Sequence, residues 1–359
     1  MSASKGLLLL VLAGVLAFSG ASSSAVARAA TAPAGAAAAR VASAPAAAPL
    51  PQRARVKMGM ILSIASTPVF ITIDRGYFTA ENIDFEYEPV QVTAEAISQV
   101  SAGNLDLAIA TVGAAVLNTI SRGIDIKILS GVHGNPPSGP GGDPMLARKD
   151  LYDAGEIRDA SGLVGRRVAG NSLGVYTEYA IEGAMRTAGL SVSDVDFVPI
   201  PFPDIPNALT NQAIDAAFVP EPAATQAIDR GVAVQIVPDY LRGAQITVLI
   251  GGPSFLRDRG VAEAFMRAYL RGLRDLQNEG WNSPSVAESI ERYTRVPAAV
   301  AMKMIPQYAD PEGRINWESL MDQQRFYMAR GYTNYSDPID LVQYNDDGPR
   351  QAAIQALGR

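Results

Sequence analysis

The chain contains no cysteine at all. That excludes a disulfide framework, a thiolate metal site, a cysteine nucleophile and a lipid-bearing cysteine at a processing site. Histidine is almost as scarce, with one copy, His133. A transition-metal centre built on imidazole and thiolate ligands has little to draw on, and neither a metal nor a cofactor is expected. Basic residues are outnumbered, 30 against 36 acidic. The imbalance is steeper past the N-terminal 55 residues, where 25 basic residues face 36 acidic ones. Nucleic acid needs a basic face, so it is excluded as a partner. There is also no apolar run long enough to span a bilayer. The longest, Gly6–Phe18, has 13 residues behind Lys5. A membrane helix needs about 20.

That short run is informative in its own right. A basic residue, an apolar stretch of this length and small residues at Ala25, Ala27 and Ala29 form a signal-peptide pattern over residues 1–29. Residues 30–55, dominated by Ala and Pro at first, read as a disordered tether. Export without a lipid anchor, and without membrane insertion after cleavage, points to the periplasm.

Beyond the tether the chain nearly repeats itself. Residues 104–129 read NLDLAIATVGAAVLNTISRGIDIKIL and residues 213–237 read AIDAAFVPEPAATQAIDRGVAVQIV. Asp106 aligns with Asp215, Ala114-Ala115 with Ala223-Ala224, and Arg122-Gly123 with Arg230-Gly231. Each copy patterns as strand, polar break, helix, strand. Similar alternation runs through the chain, with a strand over 56–62, helices over 94–101 and 175–188, and strands over 164–170, 195–200 and 244–250. The C-terminal third patterns as helices over 261–278, 285–294, 297–307 and 316–330. The Gly- and Pro-rich stretch GNPPSGPGGD, residues 134–143, cannot be regular structure. Alternating strands and helices imply an α/β fold with mainly parallel sheets. The expected division is lobe one at 56–147 with 247–359 and lobe two at 148–246, joined by two crossing strands, with a ligand cleft between them.

Ligands of such folds sit beyond the carboxyl ends of strands, where helices begin. Four corners qualify. The first holds Ser63, Ser66 and Thr67. The second is Thr111, Val112 and Gly113. The third is Asn171-Ser172-Leu173-Gly174 with Tyr176, and the fourth is Glu221 between Pro220 and Pro222. Hydroxyls and free N–H groups there can hold an anionic or hydrogen-bonding ligand, although Ser and Thr also serve as plain helix caps. Glu221 offers an acceptor for an amine or ring N–H, or equally a cap. Tyr176 and Phe202 offer flat faces for stacking. His133 can reach ligand from the end of its strand, and a structural histidine is the plainer reading. Gly170–Gly174 matches G-x-S-x-G at a strand-to-helix turn, but a nucleophile elbow needs a histidine later in the chain, and none follows residue 133.

In order along the chain stand Asp74-Arg75-Gly76-Tyr77-Phe78 with Asn82-Ile83-Asp84-Phe85, then Ala102-Gly103-Asn104-Leu105-Asp106. Leu163-Val164-Gly165-Arg166-Arg167-Val168-Ala169 follows, then Ile214-Asp215-Ala216-Ala217-Phe218 with Glu221-Pro222. Over residues 56–345 this order resembles the periplasmic solute-binding proteins of ABC importers, of the nitrate, sulfonate, taurine and thiamine-pyrimidine-precursor type. The resemblance implies a type-II periplasmic binding fold. It implies a monomer that hands a small-molecule ligand to an ABC permease and its ATPase, with cleft-lining corners at Ser63–Thr67, Thr111–Gly113, Ser172–Tyr176 and Glu221. Pro220 stands where the family often has Trp, which removes an aromatic wall. The 134–143 loop is also unusual for the family and borders the cleft mouth. The expected solute is small and organic: a sulfonate, a pyrimidine-like or an aromatic compound. The alternatives are an enzyme of the pyrimidine-precursor synthase type, against which the missing cysteine and single histidine argue, and a ligand sensor.

Overall fold

The computed structural model describes residues 48–358 except positions 91, 140 and 239. The segments expected to be a signal peptide and most of the tether lie outside the described residues. The last tether residues do not hang free. Leu50 donates its N–H to the Glu81 carbonyl at 3.3 Å, accepts from Asn82 Nδ2 at 3.0 Å and packs against a buried cluster.

Ten strands follow in chain order: β1 Ala54–Met60, β2 Ile83–Pro89, β3 Leu107–Thr111, β4 Lys127–Gly134, β5 Met145–Arg148, β6 Arg167–Gly170, β7 Asp196–Pro199, β8 Ala216–Phe218, β9 Ala233–Gln235 and β10 Gln245–Gly251. They build two five-stranded sheets, ordered β2-β1-β3-β10-β4 and β7-β6-β8-β5-β9. In each sheet the first three strands are parallel and the fourth runs against both neighbours. The two orders correspond strand for strand. The fourth strand of the first sheet, β10, arrives after the second sheet is complete. The fourth strand of the second sheet, β5, follows directly on the first four strands of the chain.

The sequence repeat occupies matching places, β3 to β4 in one sheet and β8 to β9 in the other. Its paired aspartates do the same work. Asp106 Oδ2 accepts the Lys57 N–H of β1 at 2.8 Å, and Asp215 Oδ2 accepts the Arg167 N–H of β6 at 3.1 Å. Each aspartate thus satisfies a backbone donor one residue ahead of the ladder, where the parallel pairing has not yet begun. Central strands are buried on both faces: every residue of β10 is buried, as is every residue of β5 and β8. This explains their mainly apolar character, broken at Gln245, Thr247 and Arg148.

The helix Arg259–Glu279 packs on the first sheet, and its Arg267 is locked to Glu81, both side chains nearly fully buried. The strand read over 164–170 begins only at Arg167, and a helix falls further short of its pattern. The helix read over 297–307 stops at Ala301. The chain ahead of and beyond Pro306 makes long-range bonds instead: Ile305 N–H to Glu221, Gly142 N–H to the Pro306 carbonyl, and Tyr308 paired with Gly134.

Candidate ligand site

Strand register sets up one wall of the site. Thr247 of β10 lies opposite Thr111 of β3 on one side and opposite His133 of β4 on the other. The three polar side chains therefore form a row across neighbouring strands at one end of the first sheet. The second sheet supplies the facing wall. Asp143 stands two residues ahead of β5, Phe218 ends β8, Glu221 follows it, and Tyr176 opens the helix Tyr176–Arg186. Residues from both walls line one cavity of about 420 Å³. That is the size range of small-molecule sites. Its surface is mostly apolar, with Ile61, Phe202, Phe218 and Ile246 prominent, and no Lys or Arg is among its lining residues.

Asp143 is delivered by the Gly- and Pro-rich loop. Asn135 anchors that loop. Its N–H binds the Ala244 carbonyl, its Nδ2 the Leu241 carbonyl, and its Oδ1 accepts the Asp143 N–H at 3.3 Å. Gly142 is obligatory here. Its φ is +87°, and a Cβ would sit 2.6 Å from Asn135 Oδ1. Asp143 points its backbone carbonyl at the Tyr240 hydroxyl, 2.9 Å away.

Four lining residues carry a buried polar atom without a hydrogen-bond partner: His133 Nδ1, Asp143 Oδ1, the Tyr176 hydroxyl and Thr247 Oγ1. Their side chains are 2–6 % exposed. Buried polar atoms are nearly always bonded, and an orphan costs about 1–3 kcal/mol. Burial, with Glu221 nearby, pushes the Asp143 carboxyl up to about 7. Burial pulls His133 down to about 4, against its bond to Gln307. The histidine tautomer follows from that bond. Gln307 Nε2 donates to the Ile305 carbonyl, so its Oε1 faces His133 Nε2 at 2.9 Å and accepts from it. Nδ1 is left as a bare acceptor.

Of the residues expected from sequence, Ser63, Thr111, Asn171, Tyr176 and Glu221 line the cavity, with His133 and Phe202. Ser66, Thr67, Val112, Gly113, Ser172, Leu173 and Gly174 do not. Ser66 and Thr67 are buried and donate to the Ile61 and Ile64 carbonyls. Val112 is core, with its N–H on the Ile246 carbonyl. Gly113 begins the helix Ala114–Ser121, whose Ala114 N–H donates to the Gly174 carbonyl at 3.2 Å. Gly174 stands in left-handed backbone, φ +71°, beneath the Tyr332 ring. Ser172 is exposed and bonds its neighbour's carbonyl, and Leu173 faces solvent. Asn171 of the same corner lines the cavity together with Thr177, the two bonded to each other at 2.6 Å.

Glu221 is more engaged than its sequence position suggested. Oε1 accepts from Thr225 Oγ1 and the Ile305 N–H, and Oε2 accepts from the Thr225 N–H. It caps its helix and ties down the 305 segment. Asp143, which sequence reasoning did not single out, has the free oxygen. The available signal was an acidic residue closing a glycine-rich loop immediately before an apolar strand.

Two sheets of equivalent order with a partly polar cavity between them define a type-II periplasmic binding fold. A family model described as NMT1/THI5 like matches residues 63–280, and the chain belongs to that family. Solved structures agree on the fold. The alkanesulfonate-binding protein SsuA of Xanthomonas axonopodis pv. citri, bound to MOPS, is 12 % identical over 83 % of this chain and 100 % of its own, with a TM-score of 0.62. The periplasmic aliphatic sulphonate binding protein SsuA of Escherichia coli is 16 % identical over 81 % and 97 %, at 0.62. The periplasmic nitrate-binding protein NrtA of Synechocystis PCC 6803 is 15 % identical over 84 % and 89 %, at 0.63. No curated protein matches. Among the described residues no helix is long and apolar enough to cross a membrane.

Proposed function

We propose that this protein is the extracytoplasmic solute-binding component of an ABC importer. It captures a small organic solute between two lobes, 56–147 with 247–359 and 148–246, and presents it to a permease. The observation that carries the reading is the cavity itself. It combines an apolar surface with four orphaned polar atoms, drawn from elements of both sheets. A ligand that satisfies atoms on both walls favours the closed arrangement, and closure is the state a permease can read. Family membership and the binding-protein neighbours support the same reading. No chemistry on the solute is needed: the one serine at an elbow-like turn is exposed and outside the cavity.

A thermal-shift screen of the chain against organic solutes of each charge type tests this. A ligand at a hundred times its dissociation constant adds about 2.7 kcal/mol of stability, a shift of several degrees. The expected result is stabilisation by one chemical class, with the solute recovered unchanged after long incubation. Conversion of the solute would overturn the reading in favour of the enzyme alternative.

A further inference from the structure

We propose that the solute is a small organic cation, an ammonium or amidinium on an apolar body, with its charged end on Asp143 and its body against Phe202 and Phe218. This rests on the binding-protein reading and adds the charge of the ligand to it.

The cavity is rich in acceptors and poor in cations. Asp143 Oδ1 and His133 Nδ1 can only accept while the carboxyl is ionised and the imidazole neutral. The Tyr176 and Thr247 hydroxyls can complete the shell. Four orphans lining one cavity match the three or more N–H donors of an ammonium or amidinium group. Several of the corner groups that could hold an anion are already occupied from within. The Glu221 carboxylate sits on the first turn of the helix Ala223–Asp229. The buried Glu178 carboxylate takes the Gly174 N–H at 2.7 Å, ahead of the helix Tyr176–Arg186. The Ala114 N–H is bound to the Gly174 carbonyl. A sulfonate would find no Lys or Arg among the lining residues, these N–H groups engaged, and the Asp143 and Glu221 carboxylates near at hand.

Cation binding is then coupled to a proton. The ionisable groups coupled to the Asp143 carboxyl are Glu221, Tyr176 and Tyr240, and His133 lines the same cavity. The tyrosines stay neutral, pushed well above their ordinary value by burial first and by Asp143 second. Neutral His133 brings no competing charge above about pH 5. With its carboxyl raised to about 7, Asp143 must lose a proton to hold a cation. Affinity should therefore fall about tenfold per pH unit below 7 and level off above it.

The test is titration calorimetry of the full chain with matched probes: benzamidinium, benzylammonium and cyclohexylammonium beside benzamide, benzyl alcohol and benzenesulfonate. Measurements run from pH 5 to 8.5, together with mass spectrometry of anything released on denaturation. The proposal predicts that a cation binds best, with that slope. It predicts that Asp143→Asn lowers its affinity at least tenfold at pH 8 and removes the slope, while the variant melts no lower than the parent. Tighter binding of the sulfonate or a neutral probe, a flat profile for the cation, or release of an anionic solute would overturn the cation assignment and leave the binding-protein reading standing. Binding of no probe, with nothing released, would count against both.

Discussion

Asp106 and Asp215 hold equivalent backbone donors, but their surroundings differ. Asp215 also receives Arg148 Nη1 at 3.2 Å and Arg167 Nη2 at 2.9 Å, and Arg148 is itself nearly buried. Burial pushes the Asp215 carboxyl up, and the Arg167 side chain and N–H pull it below its usual range. Asp215→Ala would strand the Arg148 guanidinium, with Asp150 as its remaining partner. We expect a loss of about 3 kcal/mol in urea unfolding, against about 1 kcal/mol for Asp106→Ala. The sequence alignment picked out both residues because a repeat exposes what two copies share. It also led to Ser63, Thr111, Tyr176 and Glu221, since strand-to-helix corners are visible as breaks in periodicity. Asp143 was hidden for the opposite reason. Its loop has no period, and its position depends on Asn135 and on the pairing of β5 with β8 and β9, much later in the chain.

Among the elements, the helix Trp317–Ala329 and the turn after it connect the two sheets' helices. Tyr179 of the helix Tyr176–Arg186 binds Asp322, and Glu178 takes both Arg330 and the Tyr332 hydroxyl. On the other side Asn118, in the helix Ala114–Ser121, binds the Tyr332 carbonyl and the Asn334 N–H. Glu178 is fully buried. Replacing it with Ala leaves the Gly174 N–H and Arg330 without their acceptor and should cost about 3 kcal/mol. Arg330→Ala, which removes the less buried partner, should cost less. Chemical denaturation of the two variants checks the order. The helix itself was legible from its apolar spacing, as was the helix Arg259–Glu279. Its bridging role was not, because the partners lie about 140 and 200 residues away. The helix pattern over 297–307 failed for a related cause: long-range bonds to Glu221 and to the Asp143 loop outweigh local propensity after Ala301.

At the scale of the whole molecule, the raised Asp143 and lowered His133 combine in a way neither shows alone. Asp143 keeps its proton in the fold up to about pH 7, against an ordinary 3.8. The unfolded chain releases it first, so this group's contribution to stability declines as pH rises from about 4 to 7. His133 stays neutral in the fold down to about 4, against an ordinary 6.5. Its contribution is full above about 6.5 and is lost as pH falls toward 4. Between about 4 and 6.5 the folded and unfolded chains bind the same number of protons at this pair, and stability should be nearly flat with pH. Asp143→Asn should uncover the histidine: stability then rises with pH by up to about 1.4 kcal/mol per unit. His133→Gln should uncover the carboxyl and give the opposite slope. Denaturant titrations at half-unit pH steps would read both. The fold class and the doubling of the molecule were legible from the alternating pattern and the repeat. The sheet orders were not, because they depend on where β5 and β10 insert. That insertion also fixes a sequence of events. All strands of the second sheet lie within residues 145–235, whereas the first sheet receives β10, between β3 and β4, only at residues 245–251. As the chain emerges from the ribosome, the sheet that begins later is therefore the first that can be completed. The sheet that begins first must wait, with a gap beside β3, until the other has been made.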